Sequence, residues 1–67
     1  MVSAIRLERV IKELTQSELA NRSGVPQWRI SLLERGKAAN DSERQRLAAA
    51  LGLSPEALWP DGEGQAG

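Results

Sequence analysis

Three glycines, Gly24, Gly36 and Gly52, each stand directly behind a stretch whose composition or apolar spacing reads as helical. A glycine at such a place supplies the left-handed backbone that ends a helix without a Cβ penalty. In a chain of 67 residues this punctuation leaves room for short helices only. No apolar and polar alternation of the strand kind and no internal repeat interrupts the pattern. The expectation is one all-α domain of five helices over residues 1–60, followed by a tail over 61–67. With neither cysteine nor histidine, disulfides and the usual zinc-ligand sets are excluded, and stability must come from packing and capping. No metal or cofactor is expected.

The boundaries follow from caps and periodicity. Leu7, Val10, Ile11 and Leu14 recur at i, i+3, i+4 and i+7, which puts them on one stripe of a first helix of roughly Ser3 to Glu13, with Arg6, Glu8, Arg9, Lys12 and Glu13 around the rest. Thr15 and Glu18 form a capping box for a second helix running to about Ser23. Pro26 suits the first turn of a third helix running to about Arg35. Lys37 to Asn40 reads as a loop, and Asn40 or Asp41 caps a fourth helix in which Leu47 and Leu51 stack one turn apart. Ser54, Pro55 and Glu56 open a short fifth helix that holds Leu58 and Trp59 before Pro60. Residues 61–67, with no large apolar side chain, are expected to be a mobile tail.

Nine Lys and Arg balance nine Asp and Glu, which argues against an indiscriminate polyanion binder. Residues 22–46 nevertheless hold six cations against three anions, so any basic face lies mid-chain. The apolar runs are far shorter than the roughly 20 residues of a membrane span, and no signal-peptide core opens the chain. A soluble, cytoplasmic protein is the expectation.

Helix two, Gly24 and helix three together form two short helices joined by a tight turn, the geometry that presents a second helix to a DNA major groove. At about 100° per residue, Ile30 and Leu33 point to one side of helix three, and Gln27, Trp28, Ser31, Leu32 and Arg35 fan across the other. Gln27, in the first turn, suits bidentate pairing with adenine, against the alternative of a solvated surface amide. Trp28 is placed to touch a thymine methyl, a sugar or a partner, or else folds back on the domain. Arg29, Arg35 and Lys37 flank the helix and are assigned to phosphates, with solvated charges as the alternative. Gln16 and Ser17, at the start of helix two, are assigned to the same backbone beside the helix-end amides. Glu34 borders the inward side and reaches for Arg9 as a structural pair.

The stretches LTQSELANRSGV, RISLLERGK and LAAALGLSPEALW strongly resemble the Cro/C1-type (XRE) helix-turn-helix family over about residues 5–59. The resemblance implies a lambda-repressor-like five-helix core, a reading helix behind the glycine, and homodimers on palindromic operators. By position it implies that Gln16 contacts phosphate, that Gln27, Trp28, Arg29, Ser31 and Leu32 face the groove, and that Arg35 and Lys37 meet backbone. It also implies the Arg9–Glu34 pair. Three departures stand out. The family usually has a glycine just before the position of Leu14, where this chain has Lys12 and Glu13. Pro26 replaces the usual hydroxyl cap of helix three, a loss of about 1 kcal/mol. Trp28 and Leu32 make the reading surface more apolar than usual.

The resulting expectation is a bacterial or phage-encoded transcriptional regulator, more specifically a repressor, bound to double-stranded DNA as a homodimer, with Leu53, Leu58 and Trp59 as the dimer contact or as closure of the monomer core. The alternative is a protein-interaction module on the same fold, such as an antitoxin or phage accessory protein, with a protein partner on Trp28 and Leu32. Without His, Cys or Tyr, and with Glu8, Glu18 and Glu43 lacking an evident partner set, an enzyme is not expected.

Overall fold

A computed structural model describes residues 3–60. Five helices follow one another, α1 (Ala4–Ile11), α2 (Gln16–Ser23), α3 (Gln27–Glu34), α4 (Asp41–Leu51) and α5 (Pro55–Leu58). There is no strand among the described residues. The 61–67 segment expected to be a tail lies outside them. α2 packs on α3 and α4, α1 bridges α3 and α4, and α5 closes against α4.

The helix starts are set by side chains that satisfy otherwise unpaired amides. Ser3 caps α1 by accepting from the Arg6 amide at 3.2 Å. At α2 the Thr15 hydroxyl accepts from the Glu18 amide at 3.0 Å while the Glu18 carboxylate accepts from the Thr15 amide at 2.8 Å. Asn40 and Glu43 repeat this reciprocal box at α4, at 2.7 and 3.0 Å. Pro26 is the N-cap of α3 rather than its first helical residue, and no side chain caps that end. Ser54 holds the same place at α5, with Pro55 first in the helix and no side-chain cap bond.

Three helices end in one shared pattern, in which a residue at the cap or just past it is left-handed and the next amide reaches back across the last turn. For α3 the Gly36 and Lys37 amides donate to the Leu33 and Leu32 carbonyls, both at 3.1 Å. For α4 the Gly52 and Leu53 amides donate to Ala49 and Ala48 at 3.1 and 2.8 Å. For α1 the Glu13 and Leu14 amides donate to Val10 and Arg9 at 2.9 and 3.0 Å. Glu13 takes this position with φ 56°, alone among the non-glycine residues described. The first helix therefore stops at Ile11 rather than at Glu13, because Lys12 is already its C-cap.

Leu19, Ile30, Leu47 and Leu51 are fully buried at the centre, with Ile5, Leu14, Val25, Leu33 and Leu58 around them. Burying one such side chain contributes about 1.5–3 kcal/mol. The apolar stripe expected on α1 is not its inward side. Leu7, Val10 and Ile11 are each more than half exposed, and of that set only Leu14 is buried. Ile5 and Arg9, one turn apart, face the body instead. Arg9 is drawn inward by a carboxylate on α3, and this rotates the three aliphatics toward solvent.

Two of the three candidate dimer contacts also belong to the core. Leu58 and Trp59 are buried in it and Leu53 is half-buried against it. The C-terminal pair thus closes the core over α4, the second of the two roles expected of it.

Candidate nucleic-acid interface

The turn between α2 and α3 is built by three adjacent residues. Gly24 is left-handed at φ 77°, and its amide closes α2 on Ala20 at 2.9 Å. A Cβ there would stand 3.4 Å from an Arg46 Nη1, ordinary contact with a flexible side chain, so backbone conformation, not space, calls for glycine. Buried Ser23 turns its hydroxyl to accept from the Val25 amide at 3.1 Å. Val25 then drops into the core, and the Pro26 carbonyl accepts from the Arg29 and Ile30 amides, each at 3.0 Å, to start α3.

Ile30 and Leu33 pin α3 to the body, at 0% and 3% exposure. On the opposite side Gln27, Trp28 and Arg35 are exposed and Ser31 and Leu32 are half-exposed. Trp28 is 67% exposed, the highest value among the large hydrophobics of the described residues. It lies within about 10° of the centre of the outward face when residues advance about 100° each. Arg35 and Lys37 are exposed at the far end of the helix, with the Arg35 Nε donating to the Ser31 carbonyl at 3.3 Å. Ser17 is exposed in the first turn of α2.

Two ion pairs fix the tilt of α3. At its C-terminal end Glu34 accepts from Arg9 Nε at 2.7 Å and Nη2 at 3.2 Å, and from the Gln16 amide nitrogen at 3.1 Å. Arg9 Nη1 also donates to the Leu14 carbonyl at 2.8 Å. Bonding to Glu34 holds the Arg9 pKa above its ordinary value against the opposing cost of burial. Gln16, assigned to phosphate from the sequence, thus spends its amide nitrogen on Glu34.

At the N-terminal end Arg29 donates to Glu43 from Nε at 2.5 Å and from Nη2 at 3.0 Å, and Nη2 also reaches the Ala38 carbonyl at 3.0 Å. This corrects the assignment of Arg29 to phosphate or groove. It stands about 40° from Leu33 on the helix circumference, at the rim of the inward side, and α4 supplies its partner. Bonding to Arg29 holds the Glu43 carboxyl below its ordinary value, with the Asn40 amide adding to the effect. Glu43 is the positioning residue the sequence reading left without a role. Its signal was the Asn40-to-Glu43 capping spacing, which puts that carboxylate on the first turn of α4.

At the start of α2 the Thr15 amide, then its hydroxyl, keeps the exposed Glu18 carboxyl below the usual glutamate range. No His, Cys, Asp and Glu group among the described residues is placed to hold a metal ion. No helix among them is long and apolar enough to cross a membrane.

Two helices joined by a left-handed glycine, the second pinned on one side and open on the other, define a helix-turn-helix domain. A helix-turn-helix family model matches residues 5–58. The chain belongs to the Cro/C1-type (XRE) helix-turn-helix family and is a DNA-binding regulator of that class. Comparison with curated proteins and with solved structures gives no match.

Proposed function

We propose that this protein is a sequence-specific regulator, a repressor, that binds a palindromic double-stranded operator as a homodimer in the cytoplasm of a bacterium or in a phage-infected cell. One observation carries the reading. α3 is clamped at both ends and along its inner side, while Gln27, Trp28, Ser31 and Leu32 are presented outward on its first two turns. A rigid helix with an open face is what a major groove accepts. Gln27, Trp28, Ser31 and Leu32 read base edges, and Ser17, Arg35 and Lys37 hold phosphates, with the α2 start at Gln16 docked on the backbone. A neutral monomer with one reading helix binds weakly, so two half-sites about 34 Å apart are expected.

Selection from a random duplex pool, followed by footprinting, tests this. The expected result is a dyad-symmetric site whose affinity falls steeply with salt. Sites without symmetry would remove the homodimer.

A second reading has its own observation. Leu7, Val10 and Ile11 form an exposed aliphatic face on α1, of the kind that marks protein contacts when contiguous. An antitoxin or phage accessory protein that docks through this fold would bind no duplex even at low salt, and that result would replace the first reading.

A further inference from the structure

We propose that the half-site is read chiefly as a pyrimidine C5 methyl group packed on the Trp28 indole, with Leu32 behind it and Gln27 on a neighbouring adenine. The proposal rests on the reading of α3 as the groove helix.

The first turn of α3 holds one cation, Arg29, and its guanidinium is spent on Glu43 and the Ala38 carbonyl. The commonest guanine contact, a bidentate guanidinium on O6 and N7, is therefore missing from the part of the helix that enters deepest. What remains outward there is one amide, Gln27, and one large apolar ring, Trp28. Gln27 can offer its paired donor and acceptor to adenine N7 and N6. The indole can offer only its face and one N–H donor.

Trp28 stands 67% exposed with Leu32 one turn further along the same side. An indole left in water is costly, and the cost is recovered only against an apolar surface. The major groove displays one such feature on its unmodified bases, the thymine C5 methyl. A cytosine methylated at C5 carries the same group at the same place. The shared chemistry is the methyl, and the two bases are its two sources.

The test uses the full chain and the duplex selected above. Each thymine in one half-site is replaced in turn by uracil, which removes the methyl and leaves base pairing intact. At one position the natural chain is expected to lose about fourfold in affinity, the loss that one buried methyl predicts. Trp28→Ala is expected to bind the thymine and uracil duplexes equally at that position. The indole is exposed, so the variant should keep its helical circular dichroism. A cytosine exchange at that position followed by 5-methylcytosine separates the sources. Recovery of affinity assigns recognition to the methyl from either base, and its absence confines it to thymine. Insensitivity of the natural chain to every uracil exchange overturns the proposal while leaving duplex binding intact. Failure to bind any duplex sinks the groove reading itself.

Discussion

The two ends of α3 are held by the same chemistry in opposite order. At the C-terminal end the helix supplies a carboxylate, Glu34, to a guanidinium on α1, and at the N-terminal end it supplies a guanidinium, Arg29, to a carboxylate on α4. Both placements run against the helix dipole, which favours anions at the start and cations at the finish. α3 has no acidic residue in its first turn and no basic one in its last. The pairs compensate for this, and each guanidinium also takes a loop carbonyl, Leu14 in one case and Ala38 in the other. Each clamp therefore holds a neighbouring loop as well as a helix. The ends differ in seclusion. The Arg9 and Glu34 side chains are 14% and 4% exposed and Gln16 joins them, whereas Arg29 and Glu43 are 19% and 14% exposed.

Removing one partner from the more secluded end should break the comparison most severely. Glu34→Ala strands the Arg9 guanidinium and frees Gln16, and a loss of about 3 kcal/mol is expected, toward the lower bound for an orphaned buried charge. Urea unfolding of the variant against the natural chain measures it. A loss under about 1 kcal/mol would make this end no more secluded in effect than a surface pair.

At the other end Glu43→Ala should cost about 2 kcal/mol, because the same carboxylate closes the α4 capping box as well as the Arg29 pair. Glu43→Gln sharpens the contrast, since a neutral amide oxygen can still accept from Asn40 while its hold on Arg29 weakens. The freed guanidinium gains a phosphate contact, so the slope of log affinity against log salt should steepen by about 0.9. An unchanged slope would mean that Arg29 stays against α4 without its partner.

Acid should act on this second clamp in a defined direction. Glu43 titrates below the ordinary glutamate value of 4.5, so its contribution is fully present above that value and is lost as pH falls through the lowered one. The natural chain is expected to lose stability below about pH 4.5 more steeply than Glu43→Gln. Parallel curves for the two, from urea midpoints across that window, would rule out the linkage.

The sequence made the first clamp legible and hid the second, for a reason of geometry. Glu34 follows Leu33 on the border of the inward side, and the Arg9–Glu34 pairing was available to inspection. Arg29 borders the same inward side, but its partner comes from a helix whose angle no local pattern encodes. The same limit hid the orientation of α1. Periodicity marked Leu7, Val10, Ile11 and Leu14 as one stripe, yet α1 stops before Leu14, which is buried, and the docking of Ile5 and Arg9 turns the other three to water. Local chemistry was read best. Thr15 with Glu18, Gly24, and the inward pair Ile30 and Leu33 depend on interactions within a few residues or on one helix's own sides, and the structure places all of them as the spacing predicts.

The smallest effect tests why the first clamp reaches a loop. α1, α3 and α4 end alike, but where α3 and α4 have Gly36 and Gly52, α1 has Glu13 in the left-handed region. A Cβ there costs roughly 1–2 kcal/mol, partly offset because glycine gives the unfolded chain more freedom. The Arg9 bond to the Leu14 carbonyl, one residue on, holds the chain in that conformation. Glu13→Gly should therefore raise stability by about 0.5–1 kcal/mol, read as a shift of the urea midpoint without a change in slope. In an Arg9→Met background, with the brace gone, the same exchange should gain less, because the turn can then relax out of the left-handed region and shed part of the strain that glycine would relieve. An equal gain in both backgrounds would show that the brace and the strain are independent.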